Sequence, residues 1–125
     1  MNIILEDENM NHADLVKMVY HSLDDKKADN IKIIDIREVT VIADYFIIAG
    51  GSNKNHIQTM ADEVEKKLRE AGVVPKQIEG YKTANWILMD FRDIIVHIFN
   101  EENRLFYNLE KIWIDGKIVS IDEVE

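Results

Sequence analysis

The chain has 125 residues, 46% of them hydrophobic, and a formal net charge of −9. This length is typical of a single domain, and the hydrophobic fraction is ordinary for a globular protein. A protein that binds nucleic acid by neutralising phosphates needs a basic surface, but the fifteen Lys and Arg residues are scattered among twenty-four carboxylates. We therefore expect no direct nucleic-acid binding. The acidic surface either favours a basic protein partner or simply maintains solubility.

Three further properties bear on the cellular compartment. The chain has no cysteine, which excludes disulfides, thiolate metal ligands and cysteine nucleophiles. Its apolar runs, such as 45–49, are far shorter than the ~20 residues of a membrane-spanning helix. Residues 3–5 are apolar, but acidic residues follow them at once, which is not the pattern of a secretory signal. The sequence thus predicts a cytoplasmic protein without a membrane anchor.

Hydrophobic periodicity predicts most of the secondary structure. Helical spacing of apolar residues, together with asparagine N-caps, indicates helices that begin at Asn11, Asn53 and Asn100. Short runs rich in β-branched residues indicate strands. In chain order, the predicted elements are a helix over 11–27, strands over 31–36 and 45–50, a helix over 53–71, strands over 76–80, 86–90 and 94–99, and a last helix with Leu105, Leu109 and Ile112 at helical spacing.

This order of elements predicts an α/β fold. Tight connections between the last three strands imply antiparallel pairing, so we expect one mixed sheet of about five strands with helices packed on it. The Gly50-Gly51 pair is expected to end the second strand, and Gly72 to adopt a left-handed conformation after the second helix. The predicted organisation is one domain over 11–115, a flexible acidic extension over 1–10 and a tail over 116–125.

Alternation along two adjacent strands places a mixed set of side chains on one face of the sheet. The opposite face of these strands is wholly apolar and suits the core. An exposed face of aromatic and aliphatic groups with a few polar ones resembles the centre of a protein interface. Alternatively, a helix covers this face of the sheet, and His97 forms a hydrogen bond with Asp90 or with the backbone. The residues of the mixed face are Trp86, Leu88, Asp90, Ile95, His97 and Phe99.

Asp90 and His97 also allow a catalytic hypothesis, in which the carboxylate orients the imidazole as a base. Such a base needs a nucleophile within reach, and the sequence offers none at a suitable place. The other histidines show no metal-ligand spacing. The segment 50–53 (Gly-Gly-Ser-Asn) lacks a Gly-x-Gly-x-x-Gly fingerprint and a following Lys-Ser/Thr pair, so we interpret it as a structural strand-to-helix turn. We predict no catalytic residue, no metal site and no cofactor.

An ordered set of segments carries further information. It comprises Ile42 to Ala49, Gly51, Ala61 to Glu63, Glu79 to Tyr81, Trp86 to Asp90, Asp93, Val96 to Phe99, Arg104, Tyr107 and Leu109 to Trp113. At this spacing, the set resembles the ribosomal silencing factor (RsfS/Iojap) family over roughly residues 11–115. No single segment is decisive, but the ordered set is specific.

The resemblance implies a translation repressor that binds protein fourteen of the large ribosomal subunit and sterically prevents joining of the small subunit. It also implies a nucleotidyltransferase-like α/β fold, a homodimer when the protein is free, and neither catalysis nor a cofactor. In the family, the strands that correspond to 86–90 and 94–99 carry the partner-contacting surface. The expected partner-binding residues are therefore Trp86, Leu88, Asp90, His97 and Phe99, together with Tyr81 and Tyr107.

The sequence departs from the family pattern at Asn55, where the family has Arg, and at Arg92, which occupies a common Gly position in a turn. A contact that the family makes through the Arg guanidinium cannot be made by Asn55. The turn at Arg92 can have a different geometry from the family's glycine turn. Two other functions also stay open. One is a nucleotidyltransferase that uses the Gly51-Ser52 turn, although no Asp-x-Asp or Asp-x-Glu pair for two-metal chemistry follows on a nearby strand. The other is a homodimeric scaffold that self-associates through the face around Trp86.

Overall fold

The computed structural model describes residues 11–100 and 116–124. Within these ranges, the chain forms two helices, six strands and a short 3₁₀ turn. The helices are α1 (His12–Asp25) and α2 (Lys54–Glu70), the strands are β1 (Asp29–Asp35), β2 (Tyr45–Gly51), β3 (Gln77–Glu79), β4 (Trp86–Asp90), β5 (Ile94–Asn100) and β6 (Lys117–Val119), and the turn is Ile121–Glu123. Every helix and strand predicted between residues 11 and 99 is confirmed, with boundaries within two residues.

The six strands form one mixed sheet in the order β3-β4-β5-β2-β1-β6. β2 and β5 are parallel, and the other neighbours are antiparallel. The predicted α/β single domain with a mixed sheet is thus confirmed, but the sheet has six strands rather than about five. The extra strand comes from the segment 116–125, which the sequence predicts to be a tail. In the structure, Val119 pairs with Ile33 and Lys117 with Asp35, and three residues are too few to reveal a strand by their periodicity.

Both helices begin with the asparagine cap expected from the sequence, and α2 is followed by the expected glycine. The side chain of Asn11 accepts a hydrogen bond from the Asp14 N–H (2.9 Å), and that of Asn53 accepts one from the His56 N–H (2.9 Å). These bonds satisfy N–H groups that have no partner within the helix. Gly72, with φ of 87°, adopts the predicted left-handed conformation and allows the chain to leave α2 sharply.

The two helices pack against one face of the sheet. Apolar residues of α1 and α2 form a single buried cluster with alternate residues of the central strands, as expected from amphipathic helices on a pleated surface. The main contributors from the sheet are Ile33, Ile47, Ala49, Ile87, Met89, Val96 and Ile98. In the part of the chain that the structure describes, neither helix is long and apolar enough to cross a membrane.

A second buried cluster lies on the opposite face of the sheet. Its described members are Ile34, Ile36, Ala43, Phe46, Ile48, Ile95 and Phe99, with Trp86 and Leu88 packed against it. None of these residues belongs to α1 or α2. The predicted last helix, with Leu105, Leu109 and Ile112, and the predicted extension over 1–10 lie outside the described residues.

Candidate protein-binding site

The β4–β5 hairpin brings five of the seven expected binding residues together. The register of the two antiparallel strands pairs Trp86 with Phe99, Leu88 with His97, and Asp90 with Ile95. Directly opposed residues of such strands point to the same side of the sheet, with Cβ atoms about 5 Å apart. These six residues are called the Trp86 face below. Its geometry is the one expected from strand alternation.

The two strands expose the Trp86 face to different degrees. The members on β5 are buried, with exposed fractions of 9% for Ile95, 4% for His97 and 1% for Phe99, because β5 lies in the interior of the sheet between β4 and β2. The members on β4 are half-buried, since the outer neighbour of their strand is only the three-residue edge strand β3. The β4 side is therefore the part that a partner can touch, and the β5 side supports it from within.

Aromatic contacts fix the position of Trp86. Its indole stacks on the ring of Phe99, with centroids 5.2 Å apart and planes at 27°. Its Nε1–H donates a hydrogen bond of 3.0 Å to His97 Nδ1, and His97 in turn meets Phe46 edge to face, with centroids 4.7 Å apart. A large side chain that is already ordered in the free protein loses little entropy on binding. Trp86 thus has the properties of an interface anchor.

His97 is uncharged at neutral pH. Burial in apolar surroundings lowers its pKa from 6.5 to about 4. Because Nδ1 accepts a hydrogen bond from Trp86 Nε1–H, the neutral imidazole of His97 carries its own proton on Nε2. This Nε2 is buried and has no hydrogen-bond partner among the described residues. His97 therefore orients the indole of Trp86, at the energetic cost of a buried donor that is left unpaired within that part of the chain.

Asp90 does not orient His97 as an oriented-base mechanism requires. Its carboxylate accepts a hydrogen bond of 2.8 Å from the backbone N–H of Arg92, and its cross-strand neighbour is Ile95. The polar contact described for His97 is instead the one with Trp86. Asp90 thus stabilises the turn after β4, and its partial exposure leaves a negative charge at the end of the Trp86 face.

A shallow cavity of about 210 Å³ adjoins the exposed part of the face, lined by Glu79, Gly80, Trp86 and Leu88. Gly80 allows the chain after β3 to pass close to the backbone of Trp86, because a Cβ at this position would lie 2.1 Å from the Trp86 carbonyl oxygen, and its φ is +81°. Only glycine combines this backbone conformation with such a close approach. The cavity offers an apolar wall and one carboxylate to an incoming side chain.

The remaining two expected residues do not join the Trp86 face. Tyr81 packs against the helix side of the sheet, where its hydroxyl donates to Asp62 of α2 (2.8 Å) and its carbonyl accepts from Gln58 (2.9 Å). The path of the loop between β3 and β4 determines this position, which strand alternation could not reveal. Tyr107 lies outside the described residues.

The structure adds an exposed apolar loop that the sequence reasoning missed as a surface. Val41 is fully exposed and Ile42 is 64% exposed, in the connection between β1 and β2. The flanking residues Ile36 and Ala43 are buried in the second cluster, so the loop emerges on the same side of the sheet as the Trp86 face. The available signal was an apolar stretch, Val39 to Ala43, at a position where a loop is usually polar.

Packing against α2 accounts for the glycine of the Gly51-Ser52 turn. As expected, the two glycines end β2, of which they are the last two residues. A Cβ at Gly51 would lie 2.7 Å from atoms of both Ile57 and Met60 on α2, so glycine allows the helix to approach the sheet. The His56 ring accepts a hydrogen bond from the Ser52 N–H (2.9 Å). In the described ranges, no group of metal-ligating side chains accompanies this turn.

Fold and site together define a class: a small single-domain α/β protein whose mixed sheet presents a partly exposed aromatic face. Comparison with known proteins places this domain in a family. Residues 9–125 match the family described as ribosomal silencing factor during starvation. The chain is also 36% identical over 115 residues to the ribosomal silencing factor RsfS of Halalkalibacterium halodurans, which covers 92% of this chain and 98% of that relative. The chain belongs to the ribosomal silencing factor family, and the resemblance found in the sequence is confirmed.

Two further matches agree with this membership. A crystal structure of a protein from Chromobacterium violaceum superimposes with a TM-score of 0.82, at 30% identity, over 89% of this chain and 92% of that one. A mouse relative named mitochondrial assembly of ribosomal large subunit protein 1 is 29% identical over 78% of this chain and 44% of its own length. Proteins named Iojap match as well. The names of these relatives refer to the silencing of ribosomes and to the assembly of the large ribosomal subunit.

Proposed function

We propose that this protein represses translation in the cytoplasm by binding protein fourteen of the large ribosomal subunit and sterically preventing the small subunit from joining. The observation that carries the proposal is the ordered, half-buried Trp86 on the β4 side of its face. Membership of the ribosomal silencing factor family supplies the ribosomal partner, and the name of the mouse relative supports the choice of the large subunit.

The charge of the protein supports a basic partner. The net charge is −9, Glu79 lines the cavity beside Trp86 and Leu88, and Asp90 ends the same strand. A ribosomal protein that contacts RNA phosphates carries excess positive charge. Attraction between such surfaces accelerates association and selects orientation more than it strengthens the final complex. Apolar contacts at Trp86 and Leu88 would supply most of the affinity.

Repression of this kind requires occupancy of a surface and no chemical step. The polar groups of the Trp86 face fit that role, because His97 is uncharged and bonded to Trp86, and Asp90 is bonded to the backbone of its own turn. We therefore propose that the protein is not an enzyme and acts stoichiometrically. One molecule is needed for each silenced subunit.

We also propose that the free protein forms a homodimer through the same side of the sheet. The half-buried Trp86 and Leu88 and the exposed Val41 and Ile42 are apolar groups that self-association would remove from water. Light scattering of the purified protein should give the mass of a dimer, and the Trp86→Ala variant should shift toward the monomer. A monomeric wild-type protein at all concentrations would contradict this part of the proposal.

The central test is cosedimentation of the purified protein with isolated large and small ribosomal subunits. We expect binding to the large subunit alone. The Trp86→Ala variant should bind roughly thirtyfold more weakly, because removal of a central interface Trp typically costs about 2 kcal/mol. A reassociation assay with both subunits should show that wild-type protein lowers the yield of joined ribosomes.

Tyr20→Ala provides a matched control. Tyr20 is also a half-buried aromatic residue, but it lies on α1 and packs against the helix side of the sheet. Circular dichroism should show that both variants are folded. Equal loss of binding in the two folded variants would contradict the assignment of the interface to the Trp86 face, and absence of wild-type binding would contradict the ribosomal function itself.

A further inference from the structure

Three metal-ligating side chains from three distant segments meet at one end of the sheet. His12 is the first residue of α1, Asp44 immediately precedes β2, and Asp93 lies in the turn between β4 and β5. One ligand atom from each residue lies within 4.8 Å of the others. Spacing along the sequence could not reveal this group, because His12 and Asp44 are 32 positions apart and Asp44 and Asp93 are 49 positions apart.

Backbone hydrogen bonds hold the two aspartates together. The N–H groups of Asp44 and Tyr45 both donate to the Asp93 carbonyl, at 2.7 and 3.2 Å. The fold therefore brings two negatively charged side chains to one place whether or not those side chains attract each other. Such an arrangement is unfavourable unless a positive charge lies between them.

The imidazole of His12 occupies the position between the carboxylates. Its Nδ1 contacts an oxygen of Asp44, and its Nε2 lies 3.0 Å from Oδ2 of Asp93. A neutral imidazole has a single N–H and can donate to only one of them, so its other nitrogen presents a lone pair to a carboxylate. A metal ion held by one ring nitrogen and by an oxygen of each carboxylate would satisfy all three side chains.

We propose that His12, Asp44 and Asp93 bind a divalent transition-metal ion of the zinc type. One imidazole nitrogen and two carboxylate oxygens suit Zn²⁺, Mn²⁺ and their neighbours, whereas Mg²⁺ and Ca²⁺ prefer sites made of oxygen alone. Two ligands of a tetrahedral ion with bonds of about 2.1 Å lie about 3.4 Å apart. The donor atoms lie within 4.8 Å of one another. Their side chains are 45%, 27% and 55% exposed, so binding an ion would require the side chains to rotate toward that spacing, and water could supply a further ligand.

The ion would fasten the beginning of α1 to the two loops at this end of the sheet. The site is separate from the Gly51-Ser52 turn, which lies beyond the opposite end of β2, about 20 Å away for a seven-residue strand. It also uses no residue of the Trp86 face. The role of the metal is therefore structural, and its presence is independent of the proposed ribosome binding.

The test is a titration of the full chain, without an affinity tag, with Zn²⁺ in a calorimeter at neutral pH. We expect one ion per chain and a rise in Tm on metal addition, because a ligand that binds the folded state stabilises it. Co²⁺ in place of Zn²⁺ should give a visible absorption band that reports nitrogen and oxygen ligands. His12→Gln and Asp93→Asn should each weaken binding tenfold or more and abolish the rise in Tm.

His21→Gln is the matched control, since His21 is an exposed histidine on the same helix but outside the group. It should bind Zn²⁺ as the wild-type protein does. The proposal is overturned if the wild-type protein shows no saturable binding. It is equally overturned if folded His12→Gln and Asp93→Asn variants bind the ion as tightly as the wild-type chain.

Discussion

The two faces of the sheet use the same strands for different purposes. On the helix side, the two strands carry fully buried apolar residues, and helices α1 and α2 supply their partners; these residues are Ile87, Met89, Ile94, Val96 and Ile98. On the other side, the same strands carry Trp86, Asp90 and His97, and the β4 residues stay half-exposed. Adjacent residues such as Ile87 and Leu88 therefore have opposite environments although they differ little in chemistry.

Because the two faces differ in exposure, we expect residues on the helix side to determine stability and residues on the exposed part of the Trp86 face to determine binding. A core residue on the helix side contributes through the surface it buries and the cavity its removal would leave. Trp86 keeps part of its surface exposed and is oriented by His97 and Phe99, which places apolar surface where a partner can cover it. Substitutions on the helix side should thus unfold the protein, whereas those on the exposed part of the Trp86 face should weaken binding at little cost in stability.

The sharpest way to break this comparison is the pair Ile87→Ala and Leu88→Ala. Ile87 is completely buried, so its truncation should lower the free energy of unfolding by about 4 kcal/mol. Leu88 is half-buried, and its truncation should cost about 1 kcal/mol of stability while reducing binding to the large subunit. Urea denaturation followed by circular dichroism measures the first effect, and cosedimentation measures the second. Equal destabilisation by the two variants would show that both faces of the sheet are equally buried and would contradict the distinction between them.

A second, smaller effect concerns the dependence of stability on pH. Burial lowers the pKa of His97 from 6.5 to about 4, so between these values the unfolded chain binds a proton that the folded chain does not. The contribution of His97 is thus fully present above pH 6.5 and is lost as the pH falls toward 4. The largest possible loss is about 3 kcal/mol, at 1.36 kcal/mol for each pKa unit.

His97→Gln isolates this contribution. A glutamine amide oxygen can accept the hydrogen bond from Trp86 Nε1 but does not titrate, so the variant should lose less stability than the wild-type protein as the pH falls through this range. Urea denaturation at several pH values measures the difference in stability between the two proteins. Carboxylates that both proteins share contribute equally to their pH dependence, so their effect cancels in this difference. A direct measurement of the His97 titration by NMR should agree with it. Identical slopes for the two proteins would place the imidazole in a solvated environment and contradict the structure of the face.

Local patterns predicted the elements of this fold because each depends on nearby residues. Asn11 and Asn53 act as caps, Gly72 adopts the left-handed conformation, and strand alternation gives the members of the Trp86 face. Each of these features involves residues at most a few positions apart, or a strict period of two.

Features set by the order of strands could not be predicted in this way. The burial of His97 and Phe99 follows from the position of β5 between β4 and β2, which periodicity does not determine. The pairing of β6 with β1 joins residues more than eighty positions apart. Tyr81 was expected at the binding face but contacts Asp62 of α2, because the direction of a loop is a tertiary property. The expected binding roles of these side chains remain predictions that the variants above test.

The smallest expected effect is a gain in stability from Arg92→Gly, which leaves both faces unchanged. Arg92 has φ of 76°, and the Asp93 N–H donates to the Phe91 carbonyl across it (3.0 Å). This is the γ-turn of positive φ, which is strained for a residue with a side chain. Glycine relieves the strain but loses more conformational entropy on folding. The net gain should be about 0.5–1 kcal/mol in urea denaturation.

Arg92→Ala is the control for this change, since it removes the exposed side chain and keeps the Cβ that causes the strain. It should leave stability nearly unchanged, and binding to the large subunit should be the same for both variants except for any contact of the guanidinium itself. If Arg92→Gly destabilised the protein, the entropy of glycine would outweigh the strain of the turn. If it altered binding more than Arg92→Ala did, the backbone of the hairpin, and not the exposed side chains alone, would determine how the Trp86 face meets its partner.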